Sequence, residues 1–159
     1  MLNTLIRNYN IALTVKINRY QFKTMQHNKD ISILVVEDLE PIRDLIRDIL
    51  EEDGYHVEVA IDGKAGLELF RQKHFDIVFT DFKMPEMSGC DLAEKIKLIN
   101  KNTPVVLVTA WTMDHTDADL RRRGIDFIVK KPFRDEDLQK IVRQEMVFKV
   151  KREALSLHA

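Results

Sequence analysis

The chain has 159 residues, enough for one domain with a real core. Hydrophobic residues make up 45% and charged residues 32%, the balance of an ordinary soluble domain. The net charge of -1 gives no basic field to support nucleic-acid binding, and the single cysteine, Cys90, excludes a disulfide framework and a multi-cysteine metal site.

Residues 1–29 differ in composition from the rest of the chain. They carry Arg7, Lys16, Arg19, Lys23 and Lys29, with no acid before Asp30. Ile11, Leu13, Val15 and Ile17 alternate with Ala12, Thr14 and Lys16, which is strand spacing. Three readings stand: an added edge strand, a disordered basic leader, or an extension upstream of a start at Met25. We carry forward a loosely attached extension with no chemistry of its own. No apolar run approaches the roughly 20 residues of a membrane span, and no signal-peptide pattern opens the chain. A cytoplasmic, reducing location is the default expectation.

From Ile31 the chain is regular. ISILVV (31–36) is the apolar, β-branched run of a strand buried on both faces. Ile42, Leu45, Ile46 and Ile49 then follow helical spacing after Pro41, and Gly54 stops that helix. YHVEVA (55–60) alternates as a second strand. Asp62 is placed to cap a helix over 63–73 that turns Ala65, Leu69 and Phe70 inward. FDIVFT (75–80) is a third strand, and SGCD (88–91) resembles a capping box opening a helix through Ile99. Leu92, Ile96 and Ile99 share one face of it. PVVLVT (104–109) is a fourth strand, with a polar helix near 114–123 ending at Gly124. DFIVK (126–130) is a fifth strand. A last helix starts near Asp135, with Leu138, Ile141, Val142 and Met146 facing in. Strands alternating with helices through short connections predict a parallel α/β sheet covered on both faces. In such sheets the functional cleft lies at the carboxyl ends of the strands.

At those ends stand Glu37 and Asp38, then Asp81, then Thr109 and Ala110, then Lys130, Lys131 and Pro132. Three acids in one cleft repel each other. Two charges about 4 Å apart cost about 4 kcal/mol at an effective dielectric near 20. Lys131 offsets part of this, and a hard divalent cation such as Mg²⁺ suits carboxylates, a carbonyl and a phosphoryl oxygen. One carboxylate can then attack phosphorus. The developing charge meets the Lys131 ammonium, the Thr109 hydroxyl and backbone N–H groups.

Glu37-Asp38, Asp81 within TDFKMPEMSG, Thr109-Ala110 after PVVLV, and Lys131-Pro132-Phe133 together resemble the receiver domain of two-component response regulators. The resemblance covers roughly residues 30–148, leaving 149–159 as a tail that can continue the last helix. It implies a flavodoxin-like, doubly wound (βα)5 sheet of order 2-1-3-4-5. It implies Asp81 as phosphoacceptor, with the donor a histidine kinase or a histidine phosphotransfer protein. Mg²⁺, replaceable by Mn²⁺, would bind the side chains of Asp38 and Asp81, the Lys83 backbone carbonyl, and Glu37 through water. Lys131 would pair with the phosphoryl group, and Thr109 would hydrogen-bond to it and swing inward. Lys131 and Pro132 would share a cis peptide bond. One feature departs: the aromatic switch position is Ile128, with Phe127 on the opposite face, so Ile128 would follow Thr109 as an apolar plug. Lys83 and Trp111 occupy positions that tune phosphoryl lifetime in this family.

Other features read more plainly. Lys130 is a solvated neighbour of the site lysine, and Cys90 is a small structural residue. His27, His56, His74, His115 and His158 show no paired metal spacing. Arg121, Arg122 and Arg123 form a solvated helix face that in a receiver borders the partner-binding surface. Gly63-Lys64 lacks the earlier glycine of a phosphate-binding loop. The expected function is a stand-alone, non-enzymatic phosphoacceptor. Its downstream protein would meet the surface of helix four, strand five and helix five. Phe148, Leu155 and Leu157 could support a homodimer or partner contact. The alternative is a receiver piece of a longer transcriptional regulator or hybrid histidine kinase. A phosphatase of the dehalogenase type would need an acid where Lys83 stands.

Overall fold

The fold is taken from a computed structural model, which describes residues 30–110 and 116–156, with side-chain surroundings through residue 146. The extension 1–29, Trp111, His27, His115, His158 and the side chains of Phe148, Leu155 and Leu157 lie outside the described residues. The elements in chain order are β1 (Ser32–Val36), α1 (Glu40–Glu52), β2 (His56–Ala60), α2 (Gly63–Gln72) and β3 (Ile77–Asp81). Next come α3 (Gly89–Ile99), β4 (Val105–Thr109), α4 (Asp117–Arg122), β5 (Phe127–Lys130) and α5 (Asp135–Ser156). The last helix therefore continues into segment 149–159. All strand pairs are parallel, in the order β2-β1-β3-β4-β5. Val36 lies in register with Ala60 and with Thr80, and Asp81 with Val108. The carboxyl ends of β1, β3 and β4 are therefore level, which is what brings residues 37, 81 and 109 to one edge.

Side chains alternate across the sheet. Leu34, Val36, Val78 and Leu107 pack with Leu67 and Phe70 of α2, Leu92 and Ile96 of α3, and Leu120 of α4. Ile33, Val35, Phe79 and Val106 face Ile46, Ile49 and Leu50 of α1, with Leu138 and Val142 of α5. Strands buried on both faces must be apolar throughout, which explains the unbroken run ILVV. Ile141 and Met146 pack partly against this second face, and Ala65 and Leu69 against the first, as their spacing predicts.

Two inward expectations fail. Leu45 is 50% exposed and Ile99 is 49% exposed. In α1 the buried arc extends to Leu50, which turns Leu45 at the opposite margin into solvent. In α3 Cys90 and Ala93 draw the buried arc to the other side, and Ile99 is the final residue of the helix. Cys90 is wholly buried, and burial pushes its thiol above the ordinary range.

The helix starts follow their cap residues. The Asp62 carboxylate accepts a hydrogen bond from the Ala65 N–H at 2.8 Å. Asp62→Ala should lower stability by about 1 kcal/mol with phosphorylation unaffected. A urea midpoint unchanged from wild type would rule this out. In α3 the Ser88 hydroxyl accepts from Asp91 N–H at 3.2 Å, and the Asp91 carboxylate accepts from Ser88 N–H at 3.1 Å. No helix among the described residues is long and apolar enough to cross a membrane.

Candidate functional site

The site is assembled by strand ends. β1 stops at Val36, and the Glu37 N–H donates to the Ala60 carbonyl at 3.1 Å, prolonging the ladder by one bond. This draws Glu37 into the interior, where it is only 1% exposed. Asp81 is the last residue of β3 and is 9% exposed. Thr109 ends β4 and is buried beside it. After β5, the Lys131 N–H donates to the Thr109 carbonyl at 2.8 Å, and the Lys131–Pro132 peptide bond is cis.

Lys131 then reaches across the sheet edge. Its Nζ donates to Asp81 Oδ1 at 2.6 Å and to Glu37 Oε2 at 2.7 Å. The other Asp81 oxygen, Oδ2, accepts from the Lys83 N–H at 2.7 Å. Both oxygens of Asp81 are thus fixed in direction by positive or donor groups. Glu37, Asp38 and Asp81 each present a carboxylate oxygen, and the three lie within 4.8 Å of one another. With all three ionised, one ammonium leaves an excess of two negative charges. That excess fits a divalent cation, and an all-oxygen donor set fits a hard one such as Mg²⁺.

Titration follows the same geometry. Burial raises the Glu37 carboxyl above its ordinary value, the Lys131 hydrogen bond restrains the rise, and the Asp81 charge adds to it. Burial alone would lower Lys131, but its hydrogen bonds to Asp81 and Glu37 outweigh this and hold it above the usual lysine range. Lys131 is therefore a fixed positive charge at neutral pH.

The structure gathers Glu37, Asp38, Asp81 and Lys131, with Thr109 one residue beyond Asp81's register partner Val108. Lys83 contributes its N–H to Asp81. Ile128 is in register with Leu107 and packs on the face of α2 and α3, whereas Phe127 packs on the face of α1 and α5. Lys130 is exposed at the end of β5. His56 and His74 are surface residues beside Glu58 and Asp76. Three supporting residues escape sequence reading. Arg43 Nη1 donates to the Glu37 carbonyl at 2.9 Å and the Asp38 carbonyl at 3.3 Å, bracing the acidic turn. Its signal was a lone arginine in the first turn of an acid-led helix, where side chains point back toward the N-terminus. The Thr80 hydroxyl donates to the Asp81 carbonyl at 3.0 Å. Arg123 is bound to Asp91 and Glu94 rather than simply solvated.

Residues 33–143 match the family model of the response regulator receiver domain. The chain belongs to the response regulator receiver family. This receiver is 32% identical over 111 residues to the transcriptional regulatory protein RprY of Bacteroides fragilis, covering 70% of this chain and 47% of that one. It is 34% identical over 138 residues to hybrid signal transduction histidine kinase D of Dictyostelium discoideum, covering 86% of this chain and 9% of that one. The chain thus spans about half or less of the curated relatives it matches. Its fold matches that of the response regulator TrrA of Thermotoga maritima in complex with Mg²⁺-BeF. There the TM-score is 0.66 at 33% identity, covering 72% of this chain and 98% of that one.

Proposed function

We propose that Asp81 is the phosphoacceptor of this receiver and that its phosphorylation changes the binding of a partner protein. The observation that carries this reading is the pair of contacts from Lys131 Nζ to Asp81 and Glu37. They hold a buried nucleophile at a sheet edge beside a charge that can follow the incoming phosphoryl group. The donor is a phosphohistidine on a histidine kinase or a phosphotransfer protein. One Asp81 carboxylate oxygen forms a bond to phosphorus as the P–N bond breaks, and the imidazole leaves with the electron pair. Lys131 turns from the Asp81 oxygen toward the phosphoryl oxygens, where negative charge gathers. Thr109 offers its hydroxyl to the same group, and Ile128, an apolar side chain, follows it inward. Asp38 and Asp81 would hold Mg²⁺, or Mn²⁺ in its place, with the Lys83 carbonyl and, through water, Glu37. The cation supplies charge neutralisation at the phosphoryl oxygens.

The chain acts in the cytoplasm as a signalling acceptor, with only self-catalysed transfer and slow self-dephosphorylation. Its output passes through the surface formed by α4, β5 and α5, to a separate protein or a second copy. A second reading makes it the receiver portion of a longer transcriptional regulator or hybrid kinase. RprY and the hybrid kinase, of which the chain spans 47% and 9%, are relatives of that kind.

Incubation with acetyl phosphate and Mg²⁺, followed by intact-mass measurement, should show one added phosphoryl group. The addition should vanish in Asp81→Asn and on chelation of the cation. Modification that survives Asp81→Asn would refute the assignment.

A further inference from the structure

α3 begins against Asp81 and, toward its end, meets the turn that leads from α4 into β5. At its start, an ideal Cβ on Gly89 would stand 2.1 Å from the Asp81 carbonyl oxygen, so the helix backbone presses directly on Asp81. The Gly89 N–H donates to the Phe82 carbonyl at 2.9 Å, which fixes that approach. Two residues on, Asp91 does two things with its two oxygens. Oδ2 accepts from the Ser88 hydroxyl at 2.6 Å and closes the cap. Oδ1 accepts from Arg123 Nη2 at 2.7 Å. Arg123 Nε also donates to Glu94 Oε1 at 2.6 Å, so one guanidinium grips successive turns of α3.

Arg123 is the residue that closes α4, and its N–H bonds the Asp119 and Leu120 carbonyls at 3.1 Å each. Leu120 is fully buried, so α4 cannot slide freely under this grip. Gly124 comes next at φ 87°, and a Cβ there would meet Lys97 Cγ at 2.7 Å. Only glycine serves both that backbone turn and that approach. Lys97 Nζ in turn donates to Asp126 Oδ2 and to the Thr103 carbonyl, both at 2.7 Å. The junction of α4 and β5 is therefore strapped to α3 at residues 123, 124 and 126.

We propose that Arg123 is a positioning residue that couples the Asp81 backbone to α4 through α3. Resting on Asp81 as phosphoacceptor, this gives the receiver a second route to its α4 surface, one that does not pass through Thr109 and residue 128. A rigid helix in contact with both ends carries a displacement at Gly89 to the straps at 123–126 without needing an aromatic at residue 128. The route is physically contiguous, and each link in it is a close contact or a charge-assisted hydrogen bond.

The test reads backbone amide shifts of residues 117–126 in the full chain on addition of Mg²⁺ and beryllofluoride, a phosphoryl mimic. Acetyl phosphate modification of Asp81 is measured alongside by intact mass. In Arg123→Gln the amide response should fall to about half or less of wild type, while modification of Asp81 stays within about twofold. Arg123→Lys, which keeps a charge for Asp91, should recover part of the response. Asp91→Asn keeps an acceptor for the Ser88 cap but removes the charge, and should repeat the loss if Arg123→Gln does not fold. Wild-type responses at 117–126 in folded Arg123→Gln or Asp91→Asn would overturn the coupling. So would a wild-type chain modified on Asp81 that shows no response at 117–126. Failure to modify Asp81 in wild type would instead sink the phosphoacceptor reading itself.

Discussion

Gly89→Ala is expected to lower the stability of the domain by on the order of 3 kcal/mol and to slow modification of Asp81 by acetyl phosphate. The new Cβ would lie 2.1 Å from the Asp81 carbonyl oxygen, 3.0 Å from its carbonyl carbon and 3.1 Å from Thr80 Cγ2. The first two are backbone atoms of a strand in register with β4, so no side-chain rotation relieves the clash. Either α3 retreats, breaking the Gly89 to Phe82 hydrogen bond, or the end of β3 moves and carries Asp81 away from Lys131. Both outcomes cost stability, and the second also disturbs the nucleophile. Gly66→Ala is the informative comparison. Its Cβ would meet the buried side chain of Val36, 2.7 Å from Cγ2 and 3.0 Å from Cγ1, so the clash is with side-chain atoms and not with the backbone of Asp81. It should cost less and leave the modification rate near wild type. Urea unfolding and intact-mass time courses on the two variants decide this. A Gly89→Ala protein as stable and as readily modified as wild type would show that the contact is unimportant.

Most of the fold was legible because it rests on short-range signals. The apolar runs at 33–36, 77–79 and 105–108 state a buried parallel sheet, and Asp62 and Ser88 mark their helix starts directly. The site was legible because parallel topology brings strand ends together, so Glu37, Asp38, Asp81, Thr109 and Lys131 converge however far apart they are in sequence. What escaped is what depends on exact helix rotation and on long side chains. Leu45 and Ile99 carry the right spacing, but a residue at the margin of a buried arc goes in or out with a small turn of the helix. Arg43 and Arg123 read as ordinary surface charge. Their partners are backbone carbonyls five and six positions back and carboxylates about thirty positions upstream, and neither pairing has a sequence period.

Lys131→Met should uncouple phosphorylation from partner affinity while leaving cation binding intact, and should make stability depend on pH in a defined direction. The substitution keeps the apolar stem and removes the charge between Glu37 and Asp81. Glu37, at 1% exposure, is left facing another carboxylate with no cation. Losing one partner of a well-buried pair costs about 3–5 kcal/mol. The site opens to solvent on the Asp38 side, so about 2 kcal/mol is expected near neutral pH. Burial already raises the Glu37 carboxyl, and without the Lys131 hydrogen bond it rises further. A raised folded-state value means that the folded chain holds the proton more tightly than the unfolded chain. Stability from that proton is fully present below the unfolded value and is lost as pH rises through the folded one. The deficit of Lys131→Met relative to wild type should therefore shrink as pH falls from about 8 to about 5. Added Mg²⁺ should shrink it too, because a divalent cation restores positive charge among the three carboxylates, and ligand binding to the folded state alone raises its stability. Thermal unfolding across pH, with and without Mg²⁺, tests both directions at once. A deficit that grows on acidification would mean that Glu37 is not the group left unpaired. An unchanged phosphorylation-dependent affinity in the variant would remove Lys131 from the path between Asp81 and the partner.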